Sequence, residues 1–186
     1  MDITLEEKKI LMQIAKEAIQ NIFYNKDETE INIDDYPFLQ NRAGAFVTLK
    51  KEEALRGCIG YIVSDLPLAE TLNNAAVQAA IGDPRFPKLN EEELSRIELE
   101  ISILSEPFPM NDYEEIELGK HGLILEESFA RALLLPQVPI EHNMTLEEFL
   151  SSLCRKAGLS ADYWKQKKIN IQLFTANVFS EKDLEE

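Results

Sequence analysis

Near the N-terminus apolar residues recur at helical spacing, at Ile10, Leu11, Ile14, Ala18, Ile19, Ile22 and Phe23, which buries one face of a helix. Thr4 with Glu7 three residues later fits a capping box, and the helix is predicted from about Leu5 to Phe23. The polar stretch from Asn25 to Gln40 reads as a loop with a short extended piece at Glu30 to Ile33. Gly44 to Leu49 reads as a strand, Lys50 to Glu53 as a turn and Ala54 to Ile62 as the return strand of a hairpin. Pro67 then opens a helix whose apolar positions, Leu68, Leu72, Ala75, Ala76, Ala79 and Ala80, are small enough to pack closely on a sheet, with Gly82 as its stop.

In the second half Asn90 caps a short helix through Glu91 to Leu94, and Ile97 to Leu104 alternates as a strand with one apolar face. Pro107-Phe108-Pro109 breaks that pattern, and the acidic stretch Tyr113 to Leu118 carries no clear period. Gly119 to Leu125 enters an apolar strand, Phe129 to Leu135 is its partner, and Pro136 to Pro139 closes the pair with a turn. Thr145 and Glu148 form a second capping box, for a helix from Leu146 to Ala157 with Gly158 as its C-cap. A short helical turn at Asp162 to Trp164, a strand at Ile169 to Phe174 and a frayed acidic end at Glu181 to Glu186 complete the chain. Strands outnumber helices and are joined mostly by hairpins. The expected fold is therefore α+β, a mainly antiparallel sheet packed with helices.

No repeat or linker divides the 186 residues, so residues 1–186 are read as a single domain that is able to carry a smaller lobe. A net charge of −15 argues against a phosphate-tracking surface, because nucleic-acid binding rests on clustered Lys and Arg. No apolar run approaches a bilayer span and the first residues lack a signal-peptide pattern, so a cytoplasmic location is expected. Cys58 and Cys154 sit in no Cys-x-x-Cys pair and beside no metal-spaced histidine; neither a disulfide framework nor a bound metal or cofactor is expected. A metal held by Cys58, His121 and Cys154 is the weaker alternative.

The densest chemistry lies in Leu55-Arg56-Gly57-Cys58-Ile59-Gly60. Strand alternation puts Arg56, Cys58 and Gly60 on one face and Leu55, Gly57, Ile59 and Tyr61 on the other. A guanidinium beside a thiol favours the thiolate, and Gly57 and Gly60 leave room for a ligand or another backbone. His121, between two glycines, is the general-base candidate. Arg85, in the rigid Asp83-Pro84-Arg85-Phe86-Pro87 segment, Glu100 on the polar face of its strand, and Gln137 in the proline turn are candidate ligand contacts. Each has a structural counterpart: a cysteine filling a small core space, a hydrogen-bonded turn histidine, a surface loop anchored by Phe86, and a solvated carboxylate. No dinucleotide, Walker, serine-hydrolase or zinc-protease signature occurs.

The hexamer, together with Asp83 to Pro87, Glu100-Ile101-Ser102, Gly119 to Leu123, Leu134 to Val138, Phe149-Leu150, Cys154, Ala157 to Leu159 and Trp164, resembles the AMMECR domain family. Its members also appear as component A of bacterial and archaeal three-protein AmmeMemoRadiSam systems. The resemblance implies a two-part α+β fold, a larger sheet-and-helix unit and a smaller lobe with the hexamer near the groove between them. It also implies a Memo-type partner, itself similar to extradiol dioxygenases, and a radical S-adenosylmethionine (SAM) partner. Two readings stand. In one, Cys58 is a nucleophile or acceptor in a small-ligand cleft, with Arg56 holding an anion or the thiolate and His121 as acid or base. In the other, the protein is a non-catalytic scaffold or adaptor in which the hexamer is structural and Arg56 anchors a carboxylate such as Glu100.

Overall fold

The computed structural model describes residues 3–24, 31–127 and 129–184. In chain order its regular elements are α1 (Leu5–Tyr24), β1 (Gly44–Lys51), β2 (Ala54–Tyr61), α2 (Leu68–Ile81), β3 (Ile97–Leu104) and β4 (Phe108–Pro109). They continue with β5 (His121–Glu127), β6 (Ala130–Leu134), α3 (Val138–Glu141), α4 (Leu146–Lys156), α5 (Tyr163–Gln166) and β7 (Ile171–Ser180). The fold is α+β, with antiparallel strand pairs packed against helices. It divides into two compact units, 1–104 with 177–186, and 105–176.

In the first unit β1 lies between β2 and β3. Ala45, Val47 and Leu49 of β1 and Ile97, Leu99, Ile101 and Ile103 of β3 join one buried cluster with the apolar faces of α1 and α2. Because side chains alternate across a strand, Phe46, Thr48 and Lys50, and Glu98, Glu100 and Ser102, face away from those helices. The alanines of α2 bring it close enough that a Cβ on Gly57 would stand 2.2 Å from the Ala79 carbonyl oxygen. Gly57 is thus set by helix packing, and any larger side chain would have to displace backbone.

The hairpin turn puts Glu52 and Glu53 at φ 53° and 64°, the left-handed conformation at both central residues that matches the twist of its strands. A bulge follows: Lys50 pairs with Leu55 and Leu49 with Gly57, leaving Arg56 as the extra residue. This corrects the simple alternation, because Leu55 now stands opposite Lys50 and so on the side of Thr48 and Cys58. Ile33, the last residue of the expected extended piece, instead opens a 3₁₀ turn, Ile33–Asp35, because the Asn32 side chain accepts the Asp34 N–H, and Pro37–Gln40 form a second one; residues 25–30 of the expected loop lie outside the described residues.

The end of the chain also departs from expectation. Lys182–Leu184 form a 3₁₀ turn; Asp183 accepts from both the backbone and the hydroxyl of Ser180, and Lys182 bridges Glu53 and Glu98 at 2.9 Å each. The last two residues of the expected frayed end, 185–186, lie outside the described residues.

In the second unit the strand order is β6, β5, β7, β4, all antiparallel. Phe149, Leu150, Leu153 and Cys154 of α4 pack on Leu123, Leu125, Ile171 and Leu173. Cys154 is fully buried, and burial pushes its thiol up. Pro139 lies in the first turn of α3, so the proline segment expected as a turn runs on into a short helix.

Candidate functional site

Within the first unit, the Arg56 guanidinium donates from Nε to Glu93 Oε1 at 3.0 Å and from Nη2 to Glu93 Oε2 at 2.8 Å. It also donates from Nη1 to the Pro87 carbonyl at 2.9 Å and from Nη2 to that of Lys88 at 3.4 Å. Its side chain is 11% exposed, and that of Glu93 10%. Lys51 Nζ adds a bond to Glu93 at 2.8 Å, and the Asn90 capping box fixes the same carboxylate. Two cations, Arg56 first and Lys51 second, pull the Glu93 pKa down to about 2. The bulge aims Arg56 at this loop, so its fork is committed to bracing residues 87–93. Its carboxylate partner is Glu93, not Glu100, whose Oε2 accepts from Lys50 Nζ at 2.8 Å.

The segment from Asp83 to Pro87 meets the hexamer at Cys58. Asp83 Oδ2 accepts the Cys58 N–H at 2.9 Å, and Arg85 Nη2 donates to the Cys58 carbonyl at 3.3 Å. The same arginine grips Asp83 through Nε at 2.9 Å and Nη2 at 2.7 Å. With the Asp83 side chain 2% exposed, the Arg85 guanidinium holds its carboxyl well below the usual range, and Asp83 in turn raises Arg85. This closes part of an otherwise open strand edge, where unpaired backbone groups invite association.

The Cys58 side chain points the other way, into the row opposite Thr48. Thr48 Oγ1 donates to Cys58 Sγ at 3.3 Å. On its other side Thr48 pairs in register with Glu100. Cys58, Thr48 and Glu100 therefore form one cross-strand row spanning about 10 Å, given strand spacings near 5 Å, with Lys50 ion-paired to its acidic end. Gly60 lies next to this row. A Cβ there would fall 2.3 Å from the Phe46 ring, its cross-strand partner, so the space Gly60 leaves is filled by an aromatic.

His121 and Gln137 belong to the second unit. His121 is buried, its Nδ1 accepts the Glu117 N–H at 3.1 Å, and its ring meets Phe108 edge-on at 5.9 Å. Gln137 Oε1 is buried without a hydrogen-bond partner among the described residues. No three His, Cys, Asp or Glu side chains among the described residues gather as a metal site, and no helix there is long and apolar enough to cross a membrane.

Sequence reasoning passed over Thr48, Lys50, Lys51, Asp83 and Glu93. The capping-box spacing from Asn90 to Glu93 was visible, but nothing local marks Glu93 as the partner of a distant arginine.

The family model for AMMECR1 matches residues 12–179. The chain belongs to the AMMECR1 family. Similar relatives are the protein MJ0810 of Methanocaldococcus jannaschii, 42% identical with 96% of this chain and 92% of that protein covered, and a protein of Thermofilum pendens at 38% with the same coverage. The crystal structure of uncharacterized protein PH0010 from Pyrococcus horikoshii matches with a TM-score of 0.87 and 37% identity, over 97% of this chain and 94% of that one. The clamped hexamer and the thiol row therefore stand on an AMMECR1 fold.

Proposed function

We propose that this AMMECR1-family protein is a cytoplasmic small-ligand-binding component, holding a polar ligand against the row of Cys58, Thr48 and Glu100 and working with a Memo-type and a radical SAM protein. The observation that carries the reading is the 3.3 Å bond from Thr48 Oγ1 to Cys58 Sγ, on the face turned away from α1 and α2. A thiol, a hydroxyl and a carboxylate in one row, the carboxylate ion-paired to Lys50, offer donors and acceptors to a ligand, while Arg56 and Asp83 tie the strand to the segment 83–93. The first unit contains no histidine in its sequence, and His121, the expected base, belongs to the second unit, so this reading asks only for binding groups of the row. The partners rest on the family resemblance.

A scaffold reading draws support from a separate fact: Arg56, Gly57 and Gly60 are each occupied by contacts within the fold. Co-precipitation with the two partners, run beside a functional comparison of wild type and Cys58→Ala, separates the two. Association together with loss of function in Cys58→Ala supports the ligand reading. Association with full function of that variant supports the scaffold, and no association with full function removes both.

A further inference from the structure

A cavity of about 280 Å³ opens in the first unit between α1, α2 and the 3₁₀ turn at Ile33–Asp35. Its apolar wall is Ile14, Ile31, Ile33 and Ala69. Its polar wall comes from one face of α2, where Glu70, Asn73 and Asn74 stand three and four residues apart. None of these three side chains has a hydrogen-bond partner among the described residues. Elsewhere in this unit carboxylates such as Asp83 and Glu93 are gripped by cations. Glu70 is the one charged side chain among the described residues that line the cavity.

An apolar cavity with a few convergent polar groups is the ordinary form of a small-molecule site, the apolar part supplying affinity and the polar groups orientation. A carboxylate with two carboxamides one helical turn on offers acceptor oxygens to a cation and repels an anion, and the net charge of −15 acts in the same direction. We propose that this cavity binds a small amine with a compact apolar body, its ammonium at Glu70 beside Asn73 and Asn74 and its hydrocarbon part against Ile14 and Ala69. The site is independent of the Cys58 row: it shares no residue with it.

The test uses the full-length ¹⁵N-labelled chain and follows amide shifts of Ala69, Glu70, Asn73 and Asn74 during titration with cyclohexylmethylamine, cyclohexylmethanol, cyclohexanecarboxylate and methylamine. The expected result is saturable shifts at these amides with the amine, at least ten-fold tighter than the carboxylate. Glu70→Gln, an exposed substitution that leaves the remaining amide spectrum unchanged, brings the amine to the level of the alcohol. The proposal is overturned if the carboxylate binds as tightly as the amine, or if methylamine, which lacks the apolar body, shifts the same amides equally. It is overturned as well if Glu70→Gln leaves the amine's affinity unchanged.

Discussion

Glu93→Gln isolates the brace behind the hexamer. In the wild type, Glu93 accepts from two Arg56 nitrogens and from Lys51 while 10% exposed, with its pKa about 2 against an ordinary 4.5. A carboxylate whose pKa is lower folded than unfolded contributes stability in full above the unfolded value and loses it as pH falls toward the folded one. The gap corresponds to about 3 kcal/mol at 1.36 kcal/mol per unit, and partial screening through Lys51 lowers this to about 2 kcal/mol. Urea unfolding of wild type and Glu93→Gln, repeated from pH 7 to pH 2, is the assay. At pH 7 the variant is less stable by about 2 kcal/mol or more, since Arg56 also loses its charged partner. Between pH 4.5 and pH 2 the wild type falls toward the variant and the difference shrinks. Parallel pH curves for the two proteins would refute the placement of this charge.

Three further outcomes follow from the packing. Gly57→Ala drives a methyl into the Ala79 carbonyl and lowers stability by about 2–3 kcal/mol, whereas Gly158→Ala, with nothing within 4 Å but φ at +76°, costs about 1 kcal/mol; thermal melts giving the reverse order would contradict the helix contact. Asp83→Asn loses the charge opposite Arg85 and costs about 1–3 kcal/mol, with faster hydrogen exchange at the Cys58 amide; unchanged exchange would show that the edge is held by something else. Lys182→Ala leaves the urea midpoint nearly unchanged, because its bridges are exposed.

The periodic elements were legible because their signals are local. The capping boxes at Thr4 and Thr145 and the alternation of Ile97–Leu104 appear where they were read. The site was legible only in part, because its pairings run between distant segments. The two-residue turn alone would set Thr48 opposite Gly57; the bulge at Arg56 shifts the register by one and brings Thr48 to Cys58. Alternation cannot reveal a bulge whose cause is an arginine bonded 37 residues away to Glu93. Likewise Arg85 was noticed as a cation for a ligand, yet its nearest partner is Asp83, two residues before it, and together they bind the backbone of Cys58.

Arg56 works on the loop at residues 87–93, while the Cys58 thiol answers to Thr48. Native-state alkylation with iodoacetamide, read by mass spectrometry, tests it in wild type, Thr48→Val and Arg56→Lys, with circular dichroism reporting the fold. Cys58 is expected to react while fully buried Cys154 does not. Thr48→Val slows Cys58 by about two- to five-fold, the worth of one hydrogen bond, and Arg56→Lys lowers stability but leaves the rate of the folded protein within about two-fold of wild type. A ten-fold slowing in folded Arg56→Lys with no change in Thr48→Val would contradict it.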